Sequence, residues 1–346
     1  MIQYLKLKNF RNFSSKEIFF DSHENLIIWE NGSGKTNILE ALSLLCGKNI
    51  LNLAAPSLLK DGESAFFIEC GLDTGTVISL SFDQEKNQKK IIINGKAASL
   101  QKLLSMSEKA VSFQPIDMNL MYLSPSLRRN FIDETLMSAF PEYEKVLRHY
   151  KLTLKNRNSV LKSIAKEKVQ RDEIIFWDKA FTDAAIKVYE YIQKFNTYIS
   201  QHLETHTLPY FFWKVHSVEY HYISKTDFHH CKESIQTYLE KNFERDIVLW
   251  TTHIGPHIDD FEIRLDGKML ESFASRGETK SVIIWLKMLE TSFTQANSWK
   301  KPIVLIDDFL SEIDKKHRDS IIKNFSGYQT ILTSIESLES DTIINL

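Results

Sequence analysis

The densest chemistry in this chain sits in eight consecutive residues, Trp29-Glu30-Asn31-Gly32-Ser33-Gly34-Lys35-Thr36. They follow the apolar run Leu26-Ile27-Ile28 and open an amphipathic stretch from Thr36 to Leu45. That strand, glycine loop and helix order is what a phosphate-binding loop needs. Backbone N–H groups of such a loop and of the first helical turn converge on phosphate oxygens. Lys35 would reach the β- and γ-phosphates of a nucleotide, and the Thr36 hydroxyl would hold Mg²⁺. One position departs from the pattern G-x-x-x-x-G-K-[ST]: Trp29 stands where the first glycine belongs.

A second candidate lies far downstream. Pro302-Ile303-Val304-Leu305-Ile306-Asp307-Asp308 is an apolar strand ending in two acids. At the carboxyl end of a buried strand, Asp307 can orient the water around Mg²⁺ and Asp308 can polarise an attacking water. Acids at a strand end are common, so the pair gains meaning from its order relative to the loop. Between the two halves comes Ala274-Ser275-Arg276-Gly277-Glu278, directly before an apolar helix at Val282 to Leu289. It resembles the signature loop of ABC-type ATPases, in which a serine, a glycine backbone and a helix N-terminus face a γ-phosphate. By that resemblance the phosphate belongs to the opposite protomer. Alone, the serine is an ordinary helix cap. Ser311-Glu312-Ile313-Asp314, after the acids, resembles the loop that crosses the dimer interface in the same class.

The elements that must position these residues are legible in outline. Residues 1–20 alternate apolar and polar as two strands joined around Arg11-Asn12. Phe66-Phe67-Ile68, Val77 to Leu80 and Ile91-Ile92-Ile93 read as antiparallel hairpins, Ser99 caps a short helix through Met106, and Val111-Ser112-Phe113 is a strand closed by Pro115. From Ser126 to Leu203 there is no glycine. Leu147, Tyr150, Leu154, Leu161 and Ile164 make one apolar stripe, and Trp177, Phe181, Ala184, Val188, Tyr191 and Phe195 make another. This predicts a helical hairpin or small bundle broken near Gln170 to Asp172. Aromatic strands follow at Tyr210 to Tyr222, a helix at His230 to Phe243, and buried strands at Ile303 to Ile306 and Thr330 to Thr333. The expected organisation is 1–120 and 206–346 as two halves of one α/β head, with 121–205 as a helical insert.

At 346 residues, with 43% hydrophobic and 25% charged residues, the chain reads as a soluble globular protein of two or three domains. A net charge of −2 gives no global nucleic-acid signal. Cys46, Cys70 and Cys231 lack the paired spacing of a zinc site or disulfide framework and read as reduced thiols. The N-terminus carries no signal-peptide pattern and no apolar run approaches the roughly 18 residues of a membrane span, so a cytoplasmic protein without a membrane partner is expected.

Several longer runs make the resemblance specific. They are Leu5 to Asn12, Glu30 to Asn37, Arg128-Arg129-Asn130-Phe131-Ile132-Asp133, Trp177-Asp178, Gly255-Pro256-His257-Ile258-Asp259-Asp260, Ser275 to Glu278 and Asp307 to Asp314. Together they resemble the RecF family of bacterial recombinational-repair ATPases, related to SMC and Rad50 heads, over essentially the whole chain. The resemblance implies an ABC-type P-loop ATPase head with an inserted helical domain, working as an ATP-dependent homodimer on DNA at gap junctions. With RecR and RecO it would help load RecA onto gapped DNA coated by single-strand-binding protein. It implies ATP contacts from Arg11, Asn12, Glu30, Asn31, Gly32, Ser33, Gly34, Lys35, Thr36 and Asn37, with Ser275 and Gly277 completing the partner's site. Asp308 takes the place where many ABC ATPases carry a catalytic glutamate, one methylene longer, so slow hydrolysis is expected. Ile258 replaces an arginine usual in the family, and Ile116 replaces an acid, leaving Gln114 and Asp117 as the polar groups there. His257 and Asp259 are read as stabilising a turn after Gly255-Pro256.

For DNA the informative stretch is Lys145 to Arg171, nine basic residues against Glu167 alone. Arg148, Lys151, Lys155, Lys162 and Lys166 fall near one helical face. A charge run is often just a solvated face; on an ATPase head it is also a candidate for sequence-independent phosphate contact. Two other function classes remain open: an ABC ATPase subunit of a transporter, and a non-hydrolysing scaffold whose P-loop Trp29 disables. Trp29 is not alone. Trp250 and Trp299 also stand where the resemblance implies glycine, and glycine is scarce, 11 in the whole chain where average usage of about 7% predicts roughly 24. Either these tryptophans are real substitutions, or they are glycines encoded by UGA in a bacterium that reads UGA as glycine.

Overall fold

The computed structural model describes residues 1–28, 30, 32–48, 50, 54–203, 217–308, 315–334 and 342–345. The described chain divides into two compact units, residues 1–118 with 276–345, and residues 119–203 with 217–275.

The first unit begins with β1 (Ile2–Phe10) and β2 (Phe13–Phe19), antiparallel with Phe10 opposite Phe13 across the Arg11-Asn12 turn. β3 (Glu24–Ile28) leads to the glycine loop and α1 (Lys35–Leu45). β4 (Ala65–Leu72), β5 (Val77–Asp83), β6 (Gln88–Ile93) and β7 (Lys96–Ala97) extend the hairpins into a six-stranded antiparallel sheet, order β2-β1-β4-β5-β6-β7. α2 (Leu100–Met106) is capped by Ser99, whose side chain accepts from the Lys102 N–H, and β8 (Ala110–Phe113) follows.

The chain then enters the second unit through α3 (Asn119–Tyr122) and α4 (Pro125–Ala139). The long pair α5 (Tyr143–Ala165) and α6 (Glu173–His202) comes next, with the break at the expected place. β9 (Val218–Ile223), α7 (Cys231–Lys241), α8 (Phe243–Leu249), β10 (Asp260–Leu265), β11 (Lys268–Met269) and α9 (Leu270–Phe273) complete it. The expected head half starting at 206 is therefore divided: the structure groups 217–275 with the helices. The physical reason is the aromatic packing there. Phe131 of α4 and Phe195 of α6 meet Phe261 of β10 and Tyr220 of β9 in one set of ring contacts. The apolar stripes face inward, with Leu147, Tyr150, Leu161, Phe181, Val188 and Phe195 buried and Leu154, Trp177 and Tyr191 half-buried.

The return to the first unit is α10 (Arg276–Ser298), β12 (Ile303–Asp307), α11 (Lys315–Asn324), β13 (Thr330–Ser334) and β14 (Thr342–Asn345). These build a five-stranded parallel sheet, order β14-β3-β13-β12-β8. β12 is buried throughout, as its apolar run requires. Burying the apolar residues of β3, β12 and β13 contributes on the order of 25 cal/mol per Å² of apolar surface removed from water, the main term holding this layer. α1 packs on β12, β13, β4 and β5, so one helix bridges both sheets. Cys46 and Cys70 are buried and their thiols are pushed up, Cys70 to about 12, by burial above all.

Candidate nucleotide site and a buried polar network

All strands of the five-stranded sheet run parallel, so their carboxyl ends share one edge. The loop after β3 and the acids at the end of β12 both lie there, with β13 between them. Gly34 caps α1 at φ +105, and a Cβ there would stand 2.5 Å from Asn12 Oδ1 and 2.7 Å from Phe13 Cζ. Only glycine fits that backbone and that approach. Asn12 reaches the loop from the β1–β2 turn: its Nδ2 donates to Ser33 O at 2.7 Å, and Asn37 Nδ2 donates to Asn12 Oδ1 at 2.9 Å. Lys35 is buried, and its Nζ donates to Glu30 O at 3.1 Å. Ser33 Oγ is buried with no hydrogen-bond partner among the described residues. Thr36 is exposed beside it.

Arg11 turns elsewhere. Its guanidinium makes a bidentate pair with Glu40 on α1, 2.8 and 2.7 Å, and donates to Ser57 O. Of the two turn residues, Asn12 touches the loop and Arg11 braces the helix behind it. At the other strand, Asp307 is buried and accepts from Thr333 Oγ1 at 2.8 Å, while the same oxygen accepts from the Asp308 N–H at 3.1 Å. Asp308 has φ +45, a left-handed turn that directs the chain away from the strand. Thr333, at the end of β13, was not singled out from sequence; a polar residue ending a buried strand was its only signal. Gln114 donates its N–H to Asp117 Oδ2 at 2.8 Å, and Lys287 of α10 approaches Asp117 at 3.6 Å.

Ser275 is exposed, the residue before α10, and Gly277 lies in that helix's first turn with nothing within 4 Å of a built Cβ. The chain's own packing does not require glycine at 277. Trp29, Asn31 and Phe309 to Asp314, with the expected interface loop, lie outside the described residues, and among those described no group of three His, Cys, Asp or Glu could cage a metal. No described helix is long and apolar enough to cross a membrane.

The remaining singled-out runs meet in the second unit as one polar network. Arg128 makes a bidentate pair with Asp260, 2.6 and 2.8 Å, and Arg129 donates to Asp259 O at 2.9 Å. Tyr189 and Tyr222 donate to Asp259 Oδ2 at 2.7 and 3.2 Å. Gly255 has φ +117, and a Cβ there would meet Tyr150 Oη at 2.8 Å. That close approach lets Tyr150 Oη reach His257 Nδ1 at 2.6 Å. His257 Nε2 faces Thr252 O at 3.0 Å, which can only accept, so Nε2 carries the proton and Nδ1 accepts from Tyr150. The turn reading of His257 and Asp259 thus extends to a network spanning α5, α6 and β9.

Two groups in it titrate in opposite senses. Burial holds His257 down to about 4, and burial pushes Asp259 up to about 6 against the tyrosine hydrogen bonds. His257, depressed from 6.5, makes stability rise with pH between about 4 and 6.5 because the unfolded chain binds the extra proton there. Asp259, raised from 3.8, makes stability fall between about 4 and 6 because the folded chain holds the proton. Each effect is about 3 kcal/mol, and they offset. Relative to the unchanged protein, Asp259→Asn should therefore tilt the stability profile upward with pH, and His257→Gln should tilt it downward. Urea unfolding at pH 4.5 and 6.5 reads both slopes; tilts of the same sign would remove this assignment.

Arg148, Lys151, Lys155 and Lys162 on α5, and Lys166 just past its end, are all exposed. Arg148 pairs with Glu144 at 3.2 Å and Lys151 lies 3.8 Å from Asp133. Arg157, counted in the same basic run, is fully buried and belongs to the interior instead.

Comparison with known proteins agrees with this architecture. The family model for the RecF/RecN/SMC N-terminal domain matches residues 1–342. The DNA replication and repair protein RecF of Ruminiclostridium cellulolyticum is 29% identical over 346 residues, covering 96% of this chain and 92% of that protein. The solved structure of the recombination mediator protein RecF-ATP of the RecFOR pathway superposes with a TM-score of 0.88 at 25% identity, covering 99% and 95% of the two chains. An Smc head domain from Pyrococcus furiosus shares the fold at a TM-score of 0.53 and 16% identity, over 99% and 92%. The fold is an α/β ABC-type ATPase head with an inserted helical domain. With the family model matched over residues 1–342, the chain belongs to the RecF/RecN/SMC N-terminal domain family.

Proposed function

We propose that this chain is an ATP-dependent DNA-binding dimer of recombinational repair, acting with RecO and RecR to load RecA at gapped DNA. The observation that carries the reading is the shared carboxyl edge of the parallel sheet, where the glycine loop and the Asp307-Asp308 pair lie, in a chain whose full-length relatives are RecF proteins. Full-length likeness to RecF-ATP supports ATP as the nucleotide. The residues present fit it: Ser33 Oγ is a buried polar atom lacking a partner among the described residues, and Lys35 would exchange its bond to Glu30 O for phosphate. Mg²⁺ also fits, since it usually takes one or two protein oxygens beside phosphates and water, here Thr36 and Asp307. Glu30, Asn31, Gly32, Gly34 and Asn37 would complete the cradle. Asp308 would polarise water, slowly, and Ser275 with Gly277 would meet the partner protomer's γ-phosphate; the open space at Gly277 supports an outside contact there.

The exposed cations of α5 support a phosphate-backbone role, and no base-reading motif accompanies them. Reversing Lys151, Lys155 and Lys162 to Glu should weaken DNA binding similarly across sequences. The slope of log affinity against log salt should flatten by about 2–3 for three lost contacts. Fluorescence anisotropy over a salt series reads both, and an unchanged slope returns α5 to plain surface. The reading as a whole is tested by equilibrium ATP binding measured together with binding to gapped DNA. A chain that binds DNA without ATP would favour the scaffold reading that Trp29 raises.

A further inference from the structure

Nine residues other than glycine have positive φ among the described residues, and five are Asn or Asp, whose short polar side chains tolerate it. Two of the others are Trp250 and Trp299, at φ +56 and +58. For a bulky side chain that backbone is an outlier. Both stand at the same kind of place. Trp250 caps the end of α8, its N–H on Ile247 O, and Trp299 follows the last residue of α10, its N–H on Gln295 O. The left-handed residue closing a helix is the position where glycine is most enriched.

The rings do little to hold those backbones. Trp299 is 93% exposed. Trp250 is 44% exposed, with the ammonium groups of Lys162 and Lys166 over its ring, 5.3 and 5.8 Å from the centroid. The contrast within the chain is sharp. Trp285 is fully buried in α10 and Trp177 packs against the cluster of Leu161, Ile164 and Ile174, both with ordinary helical backbone. Trp29 shares the first pattern by sequence, since it fills the glycine position of the phosphate loop.

We propose that positions 29, 250 and 299 are glycine in the protein as its own cell makes it, each encoded by UGA and read there as glycine. The two backbones observed at 250 and 299 are then unstrained helix stops. The phosphate loop regains its first glycine, a consequence that rests on the ATP reading above. The cations of α5 lose the ring beside them and face solvent alone.

Tandem mass spectrometry of peptides from the protein purified from its own cells, set beside the gene's codons, decides it. Glycine is expected at 29, 250 and 299, all on UGA, with tryptophan on UGG at 177 and 285. Tryptophan or UGG at any of the three overturns the proposal. Recombinant protein gives a second measurement. Trp250→Gly and Trp299→Gly should each raise the thermal midpoint by about 2–4 °C, because relief of the left-handed strain exceeds the added chain entropy. A fall in both variants overturns the backbone argument. Trp29→Gly should tighten ATP binding by about tenfold or more. The peptide reading is independent of nucleotide: glycine at all three positions without ATP binding would keep this proposal and remove the ATP one.

Discussion

Asp308→Asn is expected to lower ATP turnover by about 10²–10⁴-fold while ATP still binds and the ATP-bound dimer lives longer. The two acids at the end of β12 are not equivalent. Asp307 is buried, with one oxygen fixed by Thr333 Oγ1, a setting for a carboxylate that orients a hydrated cation. Asp308 sits one residue beyond, half-buried, on a left-handed backbone pinned by its N–H to the same threonine. Asparagine tolerates that backbone as aspartate does, so the substitution removes the charge with little cost to the turn. The companion change is Ser275→Arg, which places a long cation at the exposed residue before α10, where the partner's phosphate would come. It should leave ATP binding intact and abolish the dimer. Light scattering with and without ATP, beside a phosphate-release assay, separates the roles. Normal hydrolysis by Asp308→Asn would mean Asp308 is misassigned, and an unmodified chain that stays monomeric with saturating ATP would remove the dimer.

Local signals made the first unit legible. The turn at Arg11-Asn12, the cap at Ser99 and the strand at Ile303 each depend on a few neighbouring residues, and each is found where the sequence puts it. The glycine loop is local too, so its residues could be named one by one. What closes the site is not local. Thr333 is tied to Asp307 across 26 residues, and nothing in the strand Thr330 to Thr333 marks it as the group that fixes an acid. Likewise the bidentate pair of Arg11 with Glu40, 29 residues away, has no local sequence signal.

The boundary between units escaped for a related reason. β9 and β10 are short alternating strands that could extend either sheet system by pattern alone, and contacts with α4 and α6, the ring contacts and the Arg128–Asp260 pair among them, assign them. Asp178, Asp259 and Asp260 stand out in the sequence only as members of short runs, without partners; in the fold each answers a specific group from another element.

Arg157 shows the same limit at its most costly, and replacing it with methionine should destabilise the helical unit by about 3–5 kcal/mol. In the sequence it is one of nine cations in a run that invites a surface reading. In the structure it lies on the buried stripe of α5, 0% exposed. Its Nε donates to Asp178 at 2.7 Å, and its Nη1 donates to Asp246 at 2.9 Å and to Thr252 Oγ1 at 2.6 Å, tying α5 to α6 and to the end of α8. Asp246 is itself fully buried, with His253 Nδ1 as its other partner at 3.0 Å. Taking the cation away leaves that carboxylate in the interior without the charge that compensates it, which costs more than the lost hydrogen bonds alone. If this is the cause, adding Asp246→Asn to Arg157→Met should recover part of the loss, whereas Asp246→Asn alone should destabilise. Urea unfolding of the four proteins at neutral pH gives the cycle. A loss below about 1 kcal/mol for Arg157→Met would place this residue back among ordinary surface cations.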